Sequence, residues 1–224
     1  MSFANRTEAG RRIAQALVHC SELHPVVLAL PRGGVPVAAE VARALDAPLD
    51  LIIVRKIGVP FQPELAMGAV VDGPEPLIVR NEDIIRMARV SEADFARVRN
   101  RELAEIQRRR DRYLVNRPHA DLKDRVVIVV DDGIATGATT RAALRAVRAQ
   151  QPAHLILAVP VAPTDVLRDL QDDADEIVYL EAHEDFGAIG FYYADFRQIA
   201  DDEVTAILAE LADAARRREA VAGV

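Results

Sequence analysis

Residues 125–147, RVVIVVDDGIATGATTRAALRAV, are the stretch that decides how this sequence is interpreted. Five apolar residues run directly into Asp131 and Asp132, a loop rich in Gly, Ala and Thr follows, and helix-forming residues complete the stretch. Adjacent carboxylates repel each other, and a buried core gains nothing from them. The pair at the end of an apolar strand therefore indicates a ligand that is cationic or rich in hydroxyl groups.

The loop between this strand and the helix, residues 133–139, has the composition of a phosphate site. Gly133 and Gly137 allow tight backbone turns, and the amides of the loop and of the helix N-terminus suit an anion. Thr136, Thr139 and Thr140 add hydroxyl donors. A phosphorylated sugar would supply a phosphate to the loop, and hydroxyl groups or a bound metal to the carboxylates. The alternative interpretation is an Asp-Gly turn followed by a Thr N-cap.

Composition limits the class of protein. The 224 residues are half apolar and contain no Trp, so Val, Ile, Leu and Ala fill the interior, which is typical of buried parallel strands. The net charge of −7 argues against general nucleic-acid binding. The single Cys20 excludes an intrachain disulfide and indicates a reducing compartment. Without a signal-peptide core or a membrane-length apolar run, we expect a cytoplasmic protein that has no membrane partner.

Strand and helix patterns alternate along the chain. Residues 26–56 contain the strand VVLAL, a helix and the strand LDLIIVRK, which together predict a βαβ unit with parallel strands. The stretch VVDGPEPLIV predicts a hairpin. This alternation predicts one α/β domain, residues 1–224, with a doubly wound, mainly parallel sheet flanked by helices and ligands bound at the carboxyl ends of its strands. Further strands are predicted at 125–132, 154–161 and 176–180, and further helices at 81–116, 138–150, 164–171 and from Asp201.

The motif VVIVVDDGIATGATT resembles the phosphoribosyl-diphosphate signature of the type I phosphoribosyltransferases. In that family an apolar run meets two acidic residues, and a Thr-Gly-x-Thr loop surrounds the 5′-phosphate. The stretches LPRGGVPVA, VRKIGVPFQPELAMGAV and FGAIGFYYADF also resemble a bacterial branch of the family whose substrate is undefined. The resemblance implies the type I fold, a helical insertion at about 81–117 and a small variable hood at about 183–196.

The resemblance implies a role for each matching residue. Asp131 and Asp132 match the acidic pair that contacts the ribose 2′- and 3′-hydroxyls and influences Mg²⁺, the implied cofactor. Arg32, Gly33 and Gly34 match the loop that holds pyrophosphate, which often contains a cis peptide bond. The basic residue beside the diphosphate is matched by Arg55 or, better, by Lys56. The alternative for the loop at Arg32 is a plain strand-to-helix turn, and the alternative for Arg55 and Lys56 is a solvated pair at a strand end. The 5′-phosphate loop is matched by Ala135, Thr136, Gly137, Ala138 and Thr139.

Two further segments match variable parts of the family. Residues 57–75 match a mobile loop that closes over the reacting centre, where Glu64 is either an active-site carboxylate or a surface residue. In the hood, an aromatic side chain would stack on a planar base, although packing is the alternative for aromatic residues in a late loop. The aromatic candidates are Phe186, Phe191, Tyr192 and Tyr193.

The implied reaction transfers a phosphoribosyl group from phosphoribosyl diphosphate to a nitrogen nucleophile, a base or an amine, and releases pyrophosphate. Purine-salvage members commonly have Asp before the Thr-Gly of the loop and Lys after it, where this sequence has Ala135 and Ala138. A methyl group cannot transfer a proton, so the sequence argues against a hypoxanthine- or guanine-type acceptor. Two other functions stay open: a non-catalytic regulator that senses phosphoribosyl diphosphate, and a phosphosugar hydrolase.

Residues 97–112, RVRNRELAEIQRRRDR, form a strongly basic segment. Contact with RNA is one interpretation of this segment. The interleaved Glu102, Glu105 and Asp111 permit ion pairs between successive helical turns, which is typical of a solvated or dimer-forming helix. We therefore expect a homodimer rather than a nucleic-acid partner.

Overall fold

The computed structural model describes residues 2–73, 75–114 and 119–222. Residue 74 of the predicted hairpin, residues 115–118, which include the end of the predicted helical insertion, and residues 1 and 223–224 lie outside the described residues. Within the described residues, eight strands form two sheets. They are β1 (Val26–Ala29), β2 (Leu49–Leu51), β3 (Val54–Val59), β4 (Gln62–Val71), β5 (Leu77–Arg80), β6 (Val126–Val130), β7 (His154–Pro163) and β8 (Glu176–His183).

The larger sheet is parallel and has the strand order β2-β1-β6-β7-β8. In its centre, Leu28 pairs with Val129 and Val129 pairs with Leu157. A helix separates each strand from its parallel neighbour along the chain, as parallel pairing requires. The helices are α1 (Arg6–Ala16), α2 (Gly34–Ala44), α3 (Glu82–Met87), α4 (Glu92–Leu114), α5 (Ala138–Ala149), α6 (Thr164–Asp169) and α7 (Asp201–Ala222).

Apolar side chains lie on both faces of this sheet. Ile128 belongs to a buried cluster with residues of α1, α2, α4 and α7, whereas Val127 and Val129 belong to a second cluster with residues of α5 and α6. Because each face is covered, a continuous apolar run rather than an alternating pattern is the expected sequence of these strands. The predicted doubly wound α/β sheet flanked by helices is confirmed. No helix in the described part of the chain is both long and apolar enough to cross a bilayer.

The predicted second strand of the βαβ unit, residues 49–56, is divided between the two sheets. The prediction of one continuous strand is therefore wrong. β2 ends at Leu51 and β3 begins at Val54. The reason is that β1 stops at Ala29: the amide of Ile52 donates to the Ala29 carbonyl at 3.0 Å, and β1 offers no further partner. Arg55 and Lys56 consequently lie in the smaller sheet and not at the carboxyl end of a parallel strand.

The smaller sheet, here called the antiparallel ribbon, consists of β3, β4 and β5. The predicted hairpin is confirmed by the pairing of Val71 with Leu77 and of Val70 with Ile78. Most of residues 57–75, matched by resemblance to a mobile loop, lies in β3 and β4, and the pairing of these strands is irregular around Gly58. The ribbon therefore gives a defined extended structure to a segment whose sequence pattern is mixed.

Candidate active site

The two loops that carry the motifs leave neighbouring strands and meet at the carboxyl edge of the parallel sheet. A Cβ atom built on Gly33 would lie 2.1 Å from Asp132 Oδ2, and one built on Gly34 would lie 2.7 Å from the Val130 carbonyl oxygen. Glycine is therefore needed at both positions, because any side chain would collide with the acidic pair or the strand beneath it. The Pro31–Arg32 peptide bond in the same loop is cis, as the resemblance implies.

The loop after β6 presents backbone amides outward. Gly133 and Ile134 are buried, and the Ile134 amide donates to the Val161 carbonyl at 3.0 Å. Gly137 has a φ of 73°, a conformation that glycine adopts without strain, and it stands directly before α5. In the part of the chain described, no amide of residues 135–139 donates to a protein acceptor. The exposed side of the loop is formed by Ala135, Thr136, Ala138 and Thr139.

The structure makes the two aspartates unequal. Asp132 is buried, and its Oδ2 lies 2.6 Å from Arg6 Nε at the start of α1. Tyr193 Oη donates to the Asp132 backbone carbonyl at 2.6 Å. Asp131 is more accessible and accepts the Asp132 amide at 2.8 Å, but among the described residues no cationic side chain pairs with it. Asp131 is thus the member of the pair that is open to a ligand.

The electrostatics of the pair favour a bound cation. Burial raises the pKa of Asp131 well above its ordinary value, and the neighbouring charge of Asp132 raises it further. Burial also raises the pKa of Asp132, although the guanidinium of Arg6 opposes the shift. Two adjacent carboxylates, one buried and one partly buried, with a single guanidinium beside them are short of positive charge. Hard oxygen donors of this kind suit Mg²⁺.

Arg6 is a site residue that the sequence interpretation missed, and Tyr193, named there as an aromatic candidate for stacking on a base, instead binds the Asp132 carbonyl. Arg6 Nη1 also donates to the Arg197 carbonyl at 2.9 Å, and its guanidinium lies 3.9 Å from the centre of the Phe196 ring. Tyr193 packs on Phe3, and burial raises its pKa far above the ordinary tyrosine value. The sequence offered only an indirect signal for Arg6. An acidic pair at the end of a buried strand needs a cation, but the spacing of residues near the pair does not identify which basic residue supplies it.

The two basic residues predicted to bind the diphosphate, Arg55 and Lys56, form ion pairs with carboxylates in the ribbon and in α4. Arg55 Nη2 lies 2.8 Å from Oε2 of the buried Glu102 in α4, so Arg55 holds the ribbon against that helix. Lys56 Nζ lies 3.1 Å from Glu64 Oε2, and both side chains are exposed. No contact in the described ranges joins these residues to Asp131 or Asp132. The structure brings Gly33 and Gly34 to the acidic pair, while Arg32 in the same loop pairs with Asp201 at 3.5 Å. It does not bring Arg55 or Lys56 to the pair.

The hood candidates fall into two groups. Tyr192 lies between the rings of Phe186 and His183, at centroid distances of 5.0 and 4.6 Å, and Tyr193 is buried. Phe191 is 73% exposed, so its ring is accessible to a ligand. Packing therefore accounts for Tyr192 and Tyr193 in this structure, whereas stacking on a base stays a prediction for Phe191.

Comparison with known proteins gives one consistent result. Residues 4–195 match the family model described as phosphoribosyl transferase domain. Two Mycobacterium tuberculosis proteins, from strains CDC 1551 / Oshkosh and H37Rv and each named "Putative phosphoribosyl transferase", are 46% identical to this chain over 221 residues. These matches cover 99% of the chain but 48% of each relative, so the chain spans about half the length of the curated relatives it matches.

A solved structure is also similar. The crystal structure of the protein TT1426 from Thermus thermophilus has 43% sequence identity and a TM-score of 0.80. The match covers 94% of this chain and 99% of that chain. The similarity therefore extends over both sheets and the helices around them.

Proposed function

Because the chain belongs to the phosphoribosyl transferase family, we propose that it transfers the 5-phosphoribosyl group of phosphoribosyl diphosphate to a nitrogen nucleophile and releases pyrophosphate. One observation carries the proposal. The glycine loop after β1 and the open amides after β6 meet around an acidic pair at one edge of a parallel sheet. This arrangement supplies anion sites on both sides of a pair of carboxylates, which is what a pentose with a phosphate at one end and a diphosphate at the other requires.

In this mechanism the backbone holds the phosphoryl groups. The amides of residues 135–139, with the hydroxyls of Thr136 and Thr139, bind the 5′-phosphate at the N-terminus of α5. Gly33 and Gly34 let the chain approach the diphosphate closely, and Arg32 offsets part of its charge. Lys56 would reach the same leaving group only after a movement of the ribbon, because its ammonium group contacts Glu64 in this structure.

The acidic pair would hold the sugar and the metal. Asp131, the accessible member, would bind the ribose hydroxyls and Mg²⁺, and Asp132 is held by Arg6. The residues present fit the ion, since both carboxylates are oxygen donors and Asp131 has no cationic partner among the described residues. Bound Mg²⁺ would supply charge that stabilises the departing diphosphate.

The reaction breaks the bond between C1 and the diphosphate oxygen and forms a bond between C1 and nitrogen, with inversion. Positive charge develops on the ring, and the carboxylates of Asp131 and Asp132 offset it. Ala135 offers no group to take the acceptor proton, so we propose an acceptor that needs no protein base, such as a pyrimidine-like ring or an amine. Phe191, exposed in the hood, is the side chain available to stack on a planar acceptor.

We further propose that the protein acts in nucleotide metabolism as a cytoplasmic homodimer, with residues 1–224 forming a single domain. The basic helix α4 supports a protein partner over RNA, because its exposed arginines pair with nearby acids such as Glu105. Sedimentation of the purified protein tests the dimer directly, and a monomer at micromolar concentration would contradict it.

The test is pyrophosphate release from phosphoribosyl diphosphate with Mg²⁺, measured across a panel of bases and amines. The Asp131→Asn/Asp132→Asn double variant should lose release while it stays folded, and the exposed Asp172→Asn serves as the control. Release that needs no acceptor would favour a hydrolase, and binding without turnover would favour a regulator. Turnover in the double variant equal to that of the wild type would refute the role of the pair.

A further inference from the structure

The C-terminal end of the basic helix α4 reaches the N-terminus of α7, where it fixes one carboxylate. Tyr113 Oη donates to Asp201 Oδ1 at 2.6 Å, and Arg112 Nη1 lies 2.7 Å from Asp201 Oδ2. Each oxygen of Asp201 therefore has a short hydrogen bond to α4. The proposed function makes no use of this junction.

The same carboxylate faces the glycine loop after β1, which contains Arg32. Arg32 Nη1 lies 3.5 Å from Asp201 Oδ1, longer than either bond from α4 and outside the usual hydrogen-bond distance. The side chain of Arg32 is also about one-third exposed. Arg32 is thus held by charge attraction to a carboxylate whose hydrogen bonds are made elsewhere, and this contact is the weakest of the three.

Asp201 carries its charge at neutral pH. The hydrogen bond from Tyr113 lowers the pKa of Asp201, and the charges of Arg112 and Arg32 lower it further. Burial together with the bond to Asp201 raises the pKa of Tyr113 to about 12, so the tyrosine remains a proton donor. A fixed negative charge therefore stands beside Arg32, the arginine to which the proposed function assigns the leaving group.

We propose that Asp201 competes with the diphosphate for Arg32. In the ligand-free site Asp201 holds the Arg32 guanidinium, the incoming diphosphate displaces it, and Asp201 takes Arg32 back as pyrophosphate leaves. The inference rests on the proposed function, since it assigns to Arg32 the diphosphate of that reaction. Asp201 is accordingly a positioning residue that acts through Arg32 and favours release of the product.

The physical argument is that one guanidinium cannot satisfy two anions equally. A diphosphate brings more charge than one carboxylate and can accept two parallel hydrogen bonds from Arg32. The nearby Asp201 weakens this interaction by offering Arg32 an alternative anionic partner. Removal of the Asp201 charge should therefore strengthen pyrophosphate binding, whereas removal of an ordinary supporting residue would weaken it.

The experiment measures inorganic pyrophosphate binding in the presence of Mg²⁺ by calorimetry. Asp201→Asn should lower the dissociation constant by about fivefold, within the usual range for coupled charged neighbours. Asp202→Asn is the matched control, because Asp202 adjoins Asp201 and pairs with Arg112 at 3.0 Å but has no contact with Arg32 in the described ranges. That control should bind pyrophosphate like the wild type.

Two further variants locate the effect. In the Arg32→Gln background, Asp201→Asn should no longer strengthen binding, because the group for which the two anions compete is absent. Tyr113→Phe keeps the charge of Asp201 and frees its Oδ1 for Arg32, so this variant should bind pyrophosphate more weakly than the wild type. The Tyr113 variant also provides the test if Asp201→Asn does not fold.

The outcomes separate this inference from the proposed function. Unchanged or weaker binding in Asp201→Asn, or a gain that persists without Arg32, would overturn the role of Asp201 and leave the transferase proposal in place. An unchanged constant in Tyr113→Phe would count against it in the same way. Absence of pyrophosphate and phosphoribosyl diphosphate binding in the wild-type protein would overturn both.

Discussion

The parallel sheet and the antiparallel ribbon contribute to the candidate site in different ways. The parallel sheet places its functional groups through the backbone, because the glycine loop and the open amides follow directly from the ends of β1 and β6. The ribbon carries its candidate groups, Lys56 and Glu64, on exposed side chains that pair with each other. The candidate groups of the parallel sheet are therefore fixed by the backbone, whereas those of the ribbon depend on the positions of side chains.

Burial explains the difference between the two sheets. β1 is fully buried and β6 is buried apart from its first residue, whereas β5 is half-buried throughout. A strand covered on both faces cannot move without exposing apolar surface to water. A half-covered strand exposes less apolar surface when it shifts, so its movement costs less free energy. The comparison teaches that the loops proposed to bind the phosphoryl groups leave strands of the core, whereas β5 at the edge of the ribbon is only half covered.

The largest expected effect is on stability, and it compares isoleucines from the two sheets. Ile128→Ala in β6 removes a side chain that is fully buried and should cost about 3–4 kcal/mol of unfolding free energy. Ile78→Ala in β5 removes a half-buried side chain and should cost about 1 kcal/mol. Urea denaturation measures both losses, and equal losses would break the distinction between the sheets.

The second prediction concerns the ion pair at the edge of the parallel sheet. Arg6→Gln leaves the buried Asp132 without its cation and should cost about 3 kcal/mol of unfolding free energy. Arg11→Gln is the control on the same helix, because Arg11 is exposed and its pair with Glu40 should be worth less than about 1 kcal/mol. Thermal and urea unfolding give both values. A loss for Arg6 no greater than that for Arg11 would show that Asp132 does not depend on this pair.

The smallest expected effect on stability comes from the ribbon. Lys56→Ala breaks an exposed pair with Glu64 and should change the unfolding free energy by no more than about 0.5 kcal/mol. If Lys56 reaches the leaving group, turnover should nevertheless fall by about 100-fold, as for removal of one charge-stabilising group. Glu64→Gln, which removes the partner but keeps the lysine, is the matched variant for the same pyrophosphate-release assay. Unchanged turnover in Lys56→Ala would remove Lys56 from the mechanism.

The sequence predicted the parallel sheet well and the ribbon less well. The strand VVIVV, its two aspartates and the helix from Ala138 occur as expected, because burial on both faces leaves a continuous apolar run that is visible in the sequence. The strand predicted over residues 49–56 failed, since its end depends on the length of β1 and not on its own residues. Likewise, the mixed pattern of residues 57–75 concealed β3 and β4, whose pairing is set by the turn and by packing against α4.

The amino-acid sequence by itself determined the class of fold, the position of the acidic pair and the glycine loop, and the resemblance to the family, because these features depend on residues close together in the chain. Only the tertiary structure decided that Asp132 pairs with Arg6, that Asp131 is the more accessible acid, and that Arg32 lies beside Asp201. The Arg6–Asp132 contact joins positions 126 residues apart. Which charges pair across such a separation depends on which helices meet at the sheet edge. The spacing of residues along the sequence does not predict this contact.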